Sequence, residues 1–534
     1  MQAPLAYLEQ HGVQDKLTQA IKAVLRQRPE QPIKAVGAAL LTSAGVSAAQ
    51  PTDGSGSFLK ILTWNIAAVN NNPFEYWLTH PDEEYEALMR NVEDFMSEPG
   101  DRDIPVKQVF TSEMYSTLDA LMTREGWEGT DACAEQWNIL SQKPIISGFL
   151  QDKGLGDKRL MSMPDRMTNT VDVSGGTANR PSVISAFGGN MATIEEWWPQ
   201  WTQFMFSDAL ECLGKKGAAP ISKRPCEMLN KIPRSKYPAL SEEEESISLR
   251  LQTLCLAIFD AVLVHILMTL SPDGKWLSLK KDILHALVWH KEERQIQVIQ
   301  QSYSDAHVLF LQEVRCSTMT TTLPAVFDRQ YEVICPAKPS KADQNSVILL
   351  STERFGSVTD LTVEALGHVP SGGASIADGD LLVVSAMDKI SGQTVLFASF
   401  HGDTDGLASA PALSAVHQVK EQLQPSAVVF GLDANTYNTP KPGKQASVED
   451  FVSDFTQKGY SCSFVGRQLS ECLTTSNART FLQPQLQKAC KAADKRLGGD
   501  FNAKDFLLFS TNAYHLVEDG EFRLSSTRLQ RLAP

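Results

Sequence analysis

The chain has 534 residues, which is too long for one compact core and predicts at least two folded units. Its composition, 42% hydrophobic and 21% charged, is typical of a soluble globular protein. A formal net charge of −14 argues against broad, charge-driven binding of nucleic acid, although a local basic groove remains compatible with it.

The nine cysteines are scattered along the chain, with no Cys-x-x-Cys pair and no metal-finger spacing. This pattern is typical of reduced thiols inside a cell. No charged-then-apolar leader with a cleavage site opens the chain. We therefore expect a cytoplasmic protein.

Residues 4–42 show the pattern of two short amphipathic helices. Pro29 ends the first helix, because proline cannot continue it, and Pro32 is suited to begin the second. Each helix has one apolar face that it cannot bury alone, so we expect a homodimer through this segment. The interface positions are Val13, Leu17 and Ile21 in the first helix and Ile33 and Val36 in the second.

The order of residues in this segment resembles the dimerisation and docking domain of the type II regulatory subunit of cAMP-dependent protein kinase. The matching positions are Tyr7-Leu8, Val13, Leu17, Arg28-Pro29 and Pro32-Ile33. The resemblance implies a four-helix dimer whose groove accepts an amphipathic helix from an anchoring partner. Since relatives of this domain are common in cilia and flagella, it also implies such a location within the cell. The alternative is an ordinary helical hairpin that packs on the rest of the protein. Residues 43–57, which follow this segment, have the composition of a linker.

The segment from Leu249 to Leu270 is long and apolar, but it contains Arg250, Asp260 and His265. An aspartate in the middle of a membrane span costs about 2.5 to 3.5 kcal/mol on insertion scales. We therefore predict a buried helix and no membrane span.

Five later segments share one form, an apolar strand with a polar residue at one end. If these ends lie on one edge of a sheet core, their polar residues share one site. A carboxylate at such an end is costly to bury unless it is paired or holds a metal ion. The segments are FLKILTWN with Asn65, SDAHVLFLQEV with Glu313, TVLFASFH with His401, SAVVFGLDAN with Asp433 and Asn435, and KDFLLFS with Asp505.

From residue 58 the chain resembles the exonuclease-endonuclease-phosphatase superfamily, whose fold is deoxyribonuclease-like. The resemblance lies in the order of Thr63-Trp64-Asn65, Leu311-Gln312-Glu313, Ser399-Phe400-His401, Gly431-Leu432-Asp433-Ala434-Asn435 and Lys504-Asp505-Phe506. It implies an α+β, four-layer αββα sandwich over residues 58–534. Asn65 and Glu313 are 248 residues apart, so residues of about 85–285 are predicted to form a large, mainly helical insertion between two core strands.

Hydrolysis of a phosphate ester by water needs a metal ion, a base for the proton and donors for the transition state. Asn65 and Glu313 offer oxygen ligands suited to Mg²⁺, with Mn²⁺ as an alternative. Asp433 would deprotonate the attacking water and Asn435 would hold the water or the phosphate. The resemblance implies that His401 donates to phosphate oxygens, and Asp505 would orient a later histidine.

Three arginines are candidate phosphate contacts: Arg166, Arg180 and Arg479. Structural hydrogen bonds for the first two, and a solvated surface position for the third, are the alternatives. Ala67 stands where nucleases for damaged DNA have an acidic residue. The site therefore resembles the branch that includes nucleotide, deadenylating and inositol-phosphate enzymes.

The superfamily has a Ser-Asp-His strand end some tens of residues after the aspartate that matches Asp505. Here the only later histidine is His515, and 29 residues follow Asp505. We therefore expect this chain to be weakly active or inactive, either because the sequence is truncated before the motif or because the protein is a pseudoenzyme. Two functions follow: a Mg²⁺-dependent phosphoesterase for a phosphorylated substrate, and a catalytically impaired scaffold that keeps the fold for binding.

Overall fold

The computed structural model describes residues 58–67, 70–213, 219–341, 343–464, 466–468, 472, 474–475, 479–482 and 502–514. Contacts along the backbone divide the chain into two compact units, Met1–Leu59 and Lys60–Pro534. The two predicted helices in residues 4–42, their dimer interface and the linker lie outside the described residues. The second unit combines helices and sheets, as the α+β prediction requires.

The strands of the second unit form two larger sheets and two small ones. One larger sheet has the strand order β1-β7-β9-β8 and the other has the order β10-β11-β12-β13-β16-β14. The small sheets are β4-β3-β5-β6 and β15-β2. The strands are β1 (Ile61–Asn65), β2 (Tyr76–Trp77), β3 (Thr170–Val173), β4 (Gly176–Asn179), β5 (Leu210–Cys212), β6 (Ile221–Lys223), β7 (Val308–Val314), β8 (Tyr331–Ile334), β9 (Asn345–Ser351), β10 (Phe355–Asp360), β11 (Leu381–Asp388), β12 (Thr394–His401), β13 (Ala427–Asp433), β14 (Tyr460–Cys462), β15 (Arg479–Thr480) and β16 (Asp505–Ser510).

The α-helices range in length from 5 to 23 residues. Short 3-10 and π-helical turns join several of them. The α-helices are α1 (Glu83–Ser97), α2 (Ser112–Arg124), α3 (Thr130–Gln142), α4 (Lys153–Asp157), α5 (Ser162–Thr168), α6 (Ile194–Phe206), α7 (Glu242–Ser246), α8 (Ser248–Leu270), α9 (Lys275–Leu284), α10 (Lys291–Ser302), α11 (Leu323–Phe327), α12 (Thr362–Gly367), α13 (Ser409–Leu423) and α14 (Val448–Gln457).

The two larger sheets pack against each other through the side chains of alternate residues. In β7, Leu309 and Leu311 face a cluster with α10 and α11, while Phe310 faces the other sheet. Phe310 lies 6.5 Å, between ring centroids, from Phe397 of β12. Since side chains alternate along a strand, the residues two positions further on, Gln312 and Ser399, also face each other across the sheets. The polar strand ends lie directly beyond this shared inner face, since Glu313 follows Gln312 and His401 lies two residues after Ser399.

The outer face of the six-stranded sheet carries two helices. Leu396 of β12 and Phe430 of β13 belong to a buried cluster with Leu413 and Val416 of α13, and Phe451 of α14 packs on the same side. The strands β11 and β12 pair as an antiparallel hairpin, and β9 pairs with both β7 and β8 in the four-stranded sheet.

A mainly helical segment runs from α1 to α9 between the adjacent strands β1 and β7. Its hydrophobic core surrounds α8, a helix that is long and apolar enough to cross a membrane. In its most apolar window, 78% of the residues are buried inside the protein. The aromatic side chains Trp197 and Trp201 of α6 are also fully buried, so they serve packing.

Candidate active site

Four of the polar strand ends meet on the inner face of the two sheets. Asn65 is the last residue of β1, and its Nδ2 donates to Glu313 Oε1 at 2.9 Å and to Asp433 Oδ2 at 2.9 Å. His401 Nε2 lies 3.3 Å from Glu313 Oε1 and 4.0 Å from Asp433 Oδ2. Asn65 and Glu313 belong to the four-stranded sheet, and the other two residues belong to the six-stranded sheet. The site therefore bridges the two sheets.

Glu313 reaches this site because its strand is irregular. Regular alternation would place it on the outer face with Leu309 and Leu311. The pairing of β7 with β9 shifts between Leu311 and Val314, and the backbone of Glu313 has a φ of 55°. Left-handed backbone is costly for a residue with a Cβ, and bulges of this kind re-aim side chains beside active sites. The irregularity is thus what turns the carboxylate toward Asn65.

Asp433 is held by its own following turn. It is 7% exposed, and its Oδ1 accepts the backbone N–H of Asn435 at 2.9 Å. Asn435 has a φ of 50° and is 5% exposed, and its Nδ2 lies 3.5 Å from the carbonyl oxygen of Gly402. Gly406 lies against this turn, since a Cβ there would come within 2.5 Å of the Asn435 carbonyl oxygen. The loop after His401 therefore packs on the backbone of the site.

His401, Asp433 and Asp505 are aligned across three neighbouring strands. His401 of β12 is the register partner of Asp433 of β13, which is in turn the partner of Asp505 of β16. The backbone N–H of Asp505 donates to Thr474 Oγ1 at 2.9 Å. Burial raises the pKa of Asp505 well above its usual range, and the adjacent Asp433 carboxylate adds to the increase. Two carboxyl groups, those of Asp433 and Asp505, therefore lie side by side in this sheet, next to His401.

The donor set suits a hard divalent cation. His401 Nε2 lies within 4.0 Å of both carboxylates, so Glu313 and Asp433 share one neighbouring imidazole. Within the described residues, no group of three or more His, Cys, Asp or Glu side chains is arranged to hold a metal ion. Mg²⁺ usually takes one or two carboxylates and fills its other positions with water and substrate phosphate. Glu313 fits the role of principal ligand.

Both ends of the Asn65 amide have partners in this structure. Its Oδ1 accepts the backbone N–H of Ala67 at 2.9 Å, and its Nδ2 faces the two carboxylates. In this arrangement Asn65 acts as the donor that joins Glu313 to Asp433.

A family described as a domain of unknown function (DUF8234) matches residues 103–281, which lie within the helical segment between β1 and β7. No curated protein matches the chain.

Several solved structures of the endonuclease/exonuclease/phosphatase fold are similar to about 42% of this chain. The catalytic domain of human Nocturnin with bound sulfate has 12% identity and a TM-score of 0.28, over 42% of this chain and 76% of that one. TDP2 from D. rerio with a single-stranded DNA product has 12% identity and a TM-score of 0.29, over 42% and 78%. A family protein from Bacteroides thetaiotaomicron has 17% identity and a TM-score of 0.29, over 41% and 74%.

Arg180 is not a phosphate contact, which corrects the prediction from the sequence. Its side chain is fully buried in the helical segment. Its Nε donates to Asp260 Oδ2 at 2.8 Å, and one Nη donates to Asp165 Oδ1 at 2.7 Å. Ser182 and Trp201 also donate to Asp260. The guanidinium is thus occupied by two carboxylates that would be costly to bury without it.

Among the described residues, no interaction connects the other two predicted phosphate contacts, Arg166 and Arg479, to the site. Arg166 is exposed on α5. The backbone of Arg479 pairs with Trp77 in the small β15-β2 sheet, and its side chain lies outside the described atoms. His515, the candidate partner of Asp505, lies outside the described residues.

Two glutamines at the site were missed from the sequence. Gln344 Nε2 donates to Glu313 Oε2 at 2.9 Å, so each carboxylate oxygen of Glu313 has an amide donor. Gln312 is fully buried and donates to Ser399 Oγ at 3.2 Å across the two sheets. The period of two in β7 could have placed Gln312 on the inner face, but no local signal distinguishes Gln344.

Proposed function

We propose that this protein is a divalent-metal-dependent phosphoesterase, acting on a phosphate mono- or diester of a nucleotide, a nucleic acid or a small molecule. The observation that carries the proposal is the Asn65 amide placed between Glu313 and Asp433, with His401 within 4.0 Å of both carboxylates. Two acidic groups, an imidazole and amide donors are the groups that phosphate hydrolysis needs. The names of similar structures include a 2′,3′-cyclic phosphatase, ANGEL2, which belongs to the same reaction class.

Each side chain has a role that follows from its contacts. Mg²⁺ or Mn²⁺ at Glu313 would neutralise charge on the phosphate oxygens. Asp433, whose two oxygens are oriented by Asn65 and by the Asn435 backbone, accepts the proton of the attacking water. As the water oxygen bonds to phosphorus, the bond from phosphorus to the leaving oxygen breaks. His401 donates from Nε2 to a phosphate oxygen, and Asn435 holds the water or the phosphate.

The finer architecture belongs to the same proposal. We infer that the two packed sheets, with α10 and α11 on one outer face and α13 and α14 on the other, form the four-layer sandwich predicted from the sequence. Residues 4–42 form the docking dimer and bind an amphipathic helix of an anchoring protein. This assembly is cytoplasmic, and a place in cilia or flagella follows from the docking resemblance.

A catalytically impaired scaffold is the second candidate. Its specific support is Asp505, whose pKa burial and the Asp433 carboxylate raise well above its usual range, which favours a neutral carboxyl over the carboxylate that would orient a histidine. In this case the folded site binds a phosphorylated ligand without turnover. Losing one donor to the transition state lowers kcat by a factor on the order of 10² to 10³. A difference of this size distinguishes an impaired enzyme from a fully active one.

The test uses the full chain with bis-p-nitrophenyl phosphate and p-nitrophenyl phosphate in Mg²⁺, in Mn²⁺ and in excess chelator. We expect metal-dependent hydrolysis that falls at least 100-fold in Asp433→Asn. Glu332→Gln, an exposed carboxylate on β8, is the matched control and keeps full activity. Absence of metal-dependent turnover in the wild type, together with binding of a phosphorylated ligand, favours the scaffold. A panel of nucleotides, oligonucleotides and inositol phosphates then identifies the substrate class.

A further inference from the structure

The turn that follows Asn65 has an unusual backbone. Ala67 has a φ of 47°, a left-handed conformation that costs a residue with a Cβ roughly 1 to 2 kcal/mol. The backbone N–H of Ala67 donates to Asn65 Oδ1, so this turn fixes the orientation of the Asn65 amide. Because Oδ1 is held in this way, Nδ2 is the end that faces Glu313 and Asp433. Whatever holds the turn therefore holds the amide.

One face of α10 holds this turn. Lys291 and Gln295 are four residues apart and lie on the same face of the helix. Lys291 Nζ donates to the carbonyl oxygen of Ala67, and Gln295 Nε2 donates to that of Ile66 at 2.6 Å. The two consecutive carbonyl groups after Asn65 are thus bound by two side chains of a single helix.

Lys291 is also placed in an environment that is poor for an ammonium group. Desolvation lowers the pKa of Lys291 to about 8, and attraction to the Glu313 carboxylate opposes this decrease. A lysine on a helix of this kind would ordinarily extend its ammonium group into water. The hydrogen bond from Lys291 Nζ to the Ala67 carbonyl oxygen thus ties α10 to the turn that follows Asn65.

We propose that Lys291 and Gln295 are positioning residues that hold the Asn65 amide between Glu313 and Asp433 and thereby set the divalent-cation affinity of the site. The inference rests on the phosphoesterase proposal. Ala67 is exposed, so in a Lys291 variant water can satisfy its carbonyl oxygen, but water does not hold the turn in place as a side chain anchored on α10 does. Outer contacts of metal ligands typically change metal affinity or activity by 10- to 100-fold.

The experiment compares Lys291→Met and Gln295→Met in the full chain with the wild type. Mn²⁺ affinity is measured by electron paramagnetic resonance without substrate, and kcat and KM are measured with bis-p-nitrophenyl phosphate. We expect the Kd for Mn²⁺ to rise about 10-fold and kcat to fall 10- to 100-fold in Lys291→Met, with KM changed less than twofold. Gln295→Met changes both quantities in the same direction, and Lys291→Arg, which keeps a donor, recovers most of the Mn²⁺ affinity.

Lys389→Met is the matched control. Lys389 Nζ also donates to a backbone carbonyl, that of Thr352 at 2.6 Å, but it follows the end of β11 that lies away from His401. We expect this variant to keep wild-type affinity and rate. If Lys291→Met is unfolded by circular dichroism, Gln295→Met decides.

The outcomes separate the two proposals. Wild-type Mn²⁺ affinity and kcat in folded Lys291→Met and Gln295→Met would overturn the positioning role while leaving a metal-dependent wild-type activity intact. A rise in KM alone would also overturn it, since that result assigns Lys291 to substrate contact. A wild-type chain without hydrolysis overturns the enzyme, and the Mn²⁺ titration still decides the role of Lys291.

Discussion

Asn65 Nδ2 donates to Asp433 Oδ2 at 2.9 Å, a hydrogen bond between residues 368 positions apart that joins the ends of β1 and β13. The same Nδ2 also donates to Glu313. One amide thus fixes two carboxylates from two different sheets. Catalytic geometry of this kind depends on rigid elements, because a 1 Å misplacement can cost about 100-fold in rate.

Replacing this amide with a third carboxylate tests its role as donor. Asn65→Asp keeps the size of the side chain but puts like charges about 3 Å from Glu313 and Asp433. We expect the free energy of unfolding in chelator to fall by about 1 to 3 kcal/mol, and Mg²⁺ to recover more stability in the variant than in the wild type. Thermal unfolding with and without Mg²⁺ measures both effects. Equal Mg²⁺ stabilisation of the two proteins would contradict the placement of a cation beside Asn65.

The close contact of the two sheets beside the site can be tested at Gly431. A Cβ at this position would lie 2.4 Å from Phe310 Cδ2, closer than side-chain carbons approach. We expect Gly431→Ala to lower the free energy of unfolding by about 1 to 3 kcal/mol through overpacking. Because Gly431 lies two residues before Asp433 in β13, the activity should fall as well. Gly367→Ala is the control, since nothing lies within 4 Å of its added Cβ, and urea unfolding compares the two.

The buried ion pairs of the helical segment predict a large difference between two arginines. Arg180→Met leaves Asp165 and Asp260 buried without their partner, which costs about 3 to 5 kcal/mol. Arg166→Ala, on the exposed side of α5, should change the free energy of unfolding by less than about 0.5 kcal/mol. Urea unfolding gives both values. A raised KM in a stable Arg180→Met protein would restore its phosphate-binding role.

The carboxyl group of Asp380 predicts a pH dependence of folding. Burial raises its pKa from 3.8 to about 6. A hydrogen bond from the backbone N–H of Ala377 to this carboxylate has the opposite effect but is the smaller of the two. Because the folded pKa is the higher one, the folded state binds more protons between pH 4 and 6, and stability from this group is lost as the pH rises through that window.

Asp380→Asn should therefore be more stable than the wild type at pH 7.5, by about 1 kcal/mol after solvent screening, and the difference should vanish near pH 4. The asparagine side chain still accepts from the Ala377 N–H, so the local structure is kept. Urea unfolding at pH 4.5, 6 and 7.5 measures the difference. A stability difference between Asp380→Asn and the wild type that grows as the pH falls would contradict a raised pKa of Asp380.

The proposed docking segment gives a prediction that is independent of the proposed phosphoesterase site. Residues 1–57 as an isolated segment should sediment as a dimer, because the two apolar faces have no internal partner. Leu17→Asp in the full chain places a charge on this face and should give monomers with unchanged hydrolytic activity. Sedimentation velocity distinguishes the two states. A folded monomer of the isolated segment would contradict the proposed dimer.

The sequence by itself determined the strands and the residues at their ends. The apolar runs around Phe310 and Phe397 are short, rich in branched and aromatic residues, and bounded by polar residues, so local pattern alone predicted their strand structure. The same reasoning placed His401 and Asp433 at strand ends. These features depend only on residues that are close together in the sequence, so the sequence is enough to predict them.

Only the tertiary structure decided which polar groups meet. Glu313 faces Asn65 because a backbone irregularity interrupts the regular alternation of side chains along β7. The neighbouring residues in the sequence carry no pattern that predicts this irregularity. Arg180 is buried because Asp260, 80 residues later, lies beside it in the folded helical segment. Contacts between distant residues depend on how sheets and helices pack, and the periodicity of each element does not encode that packing.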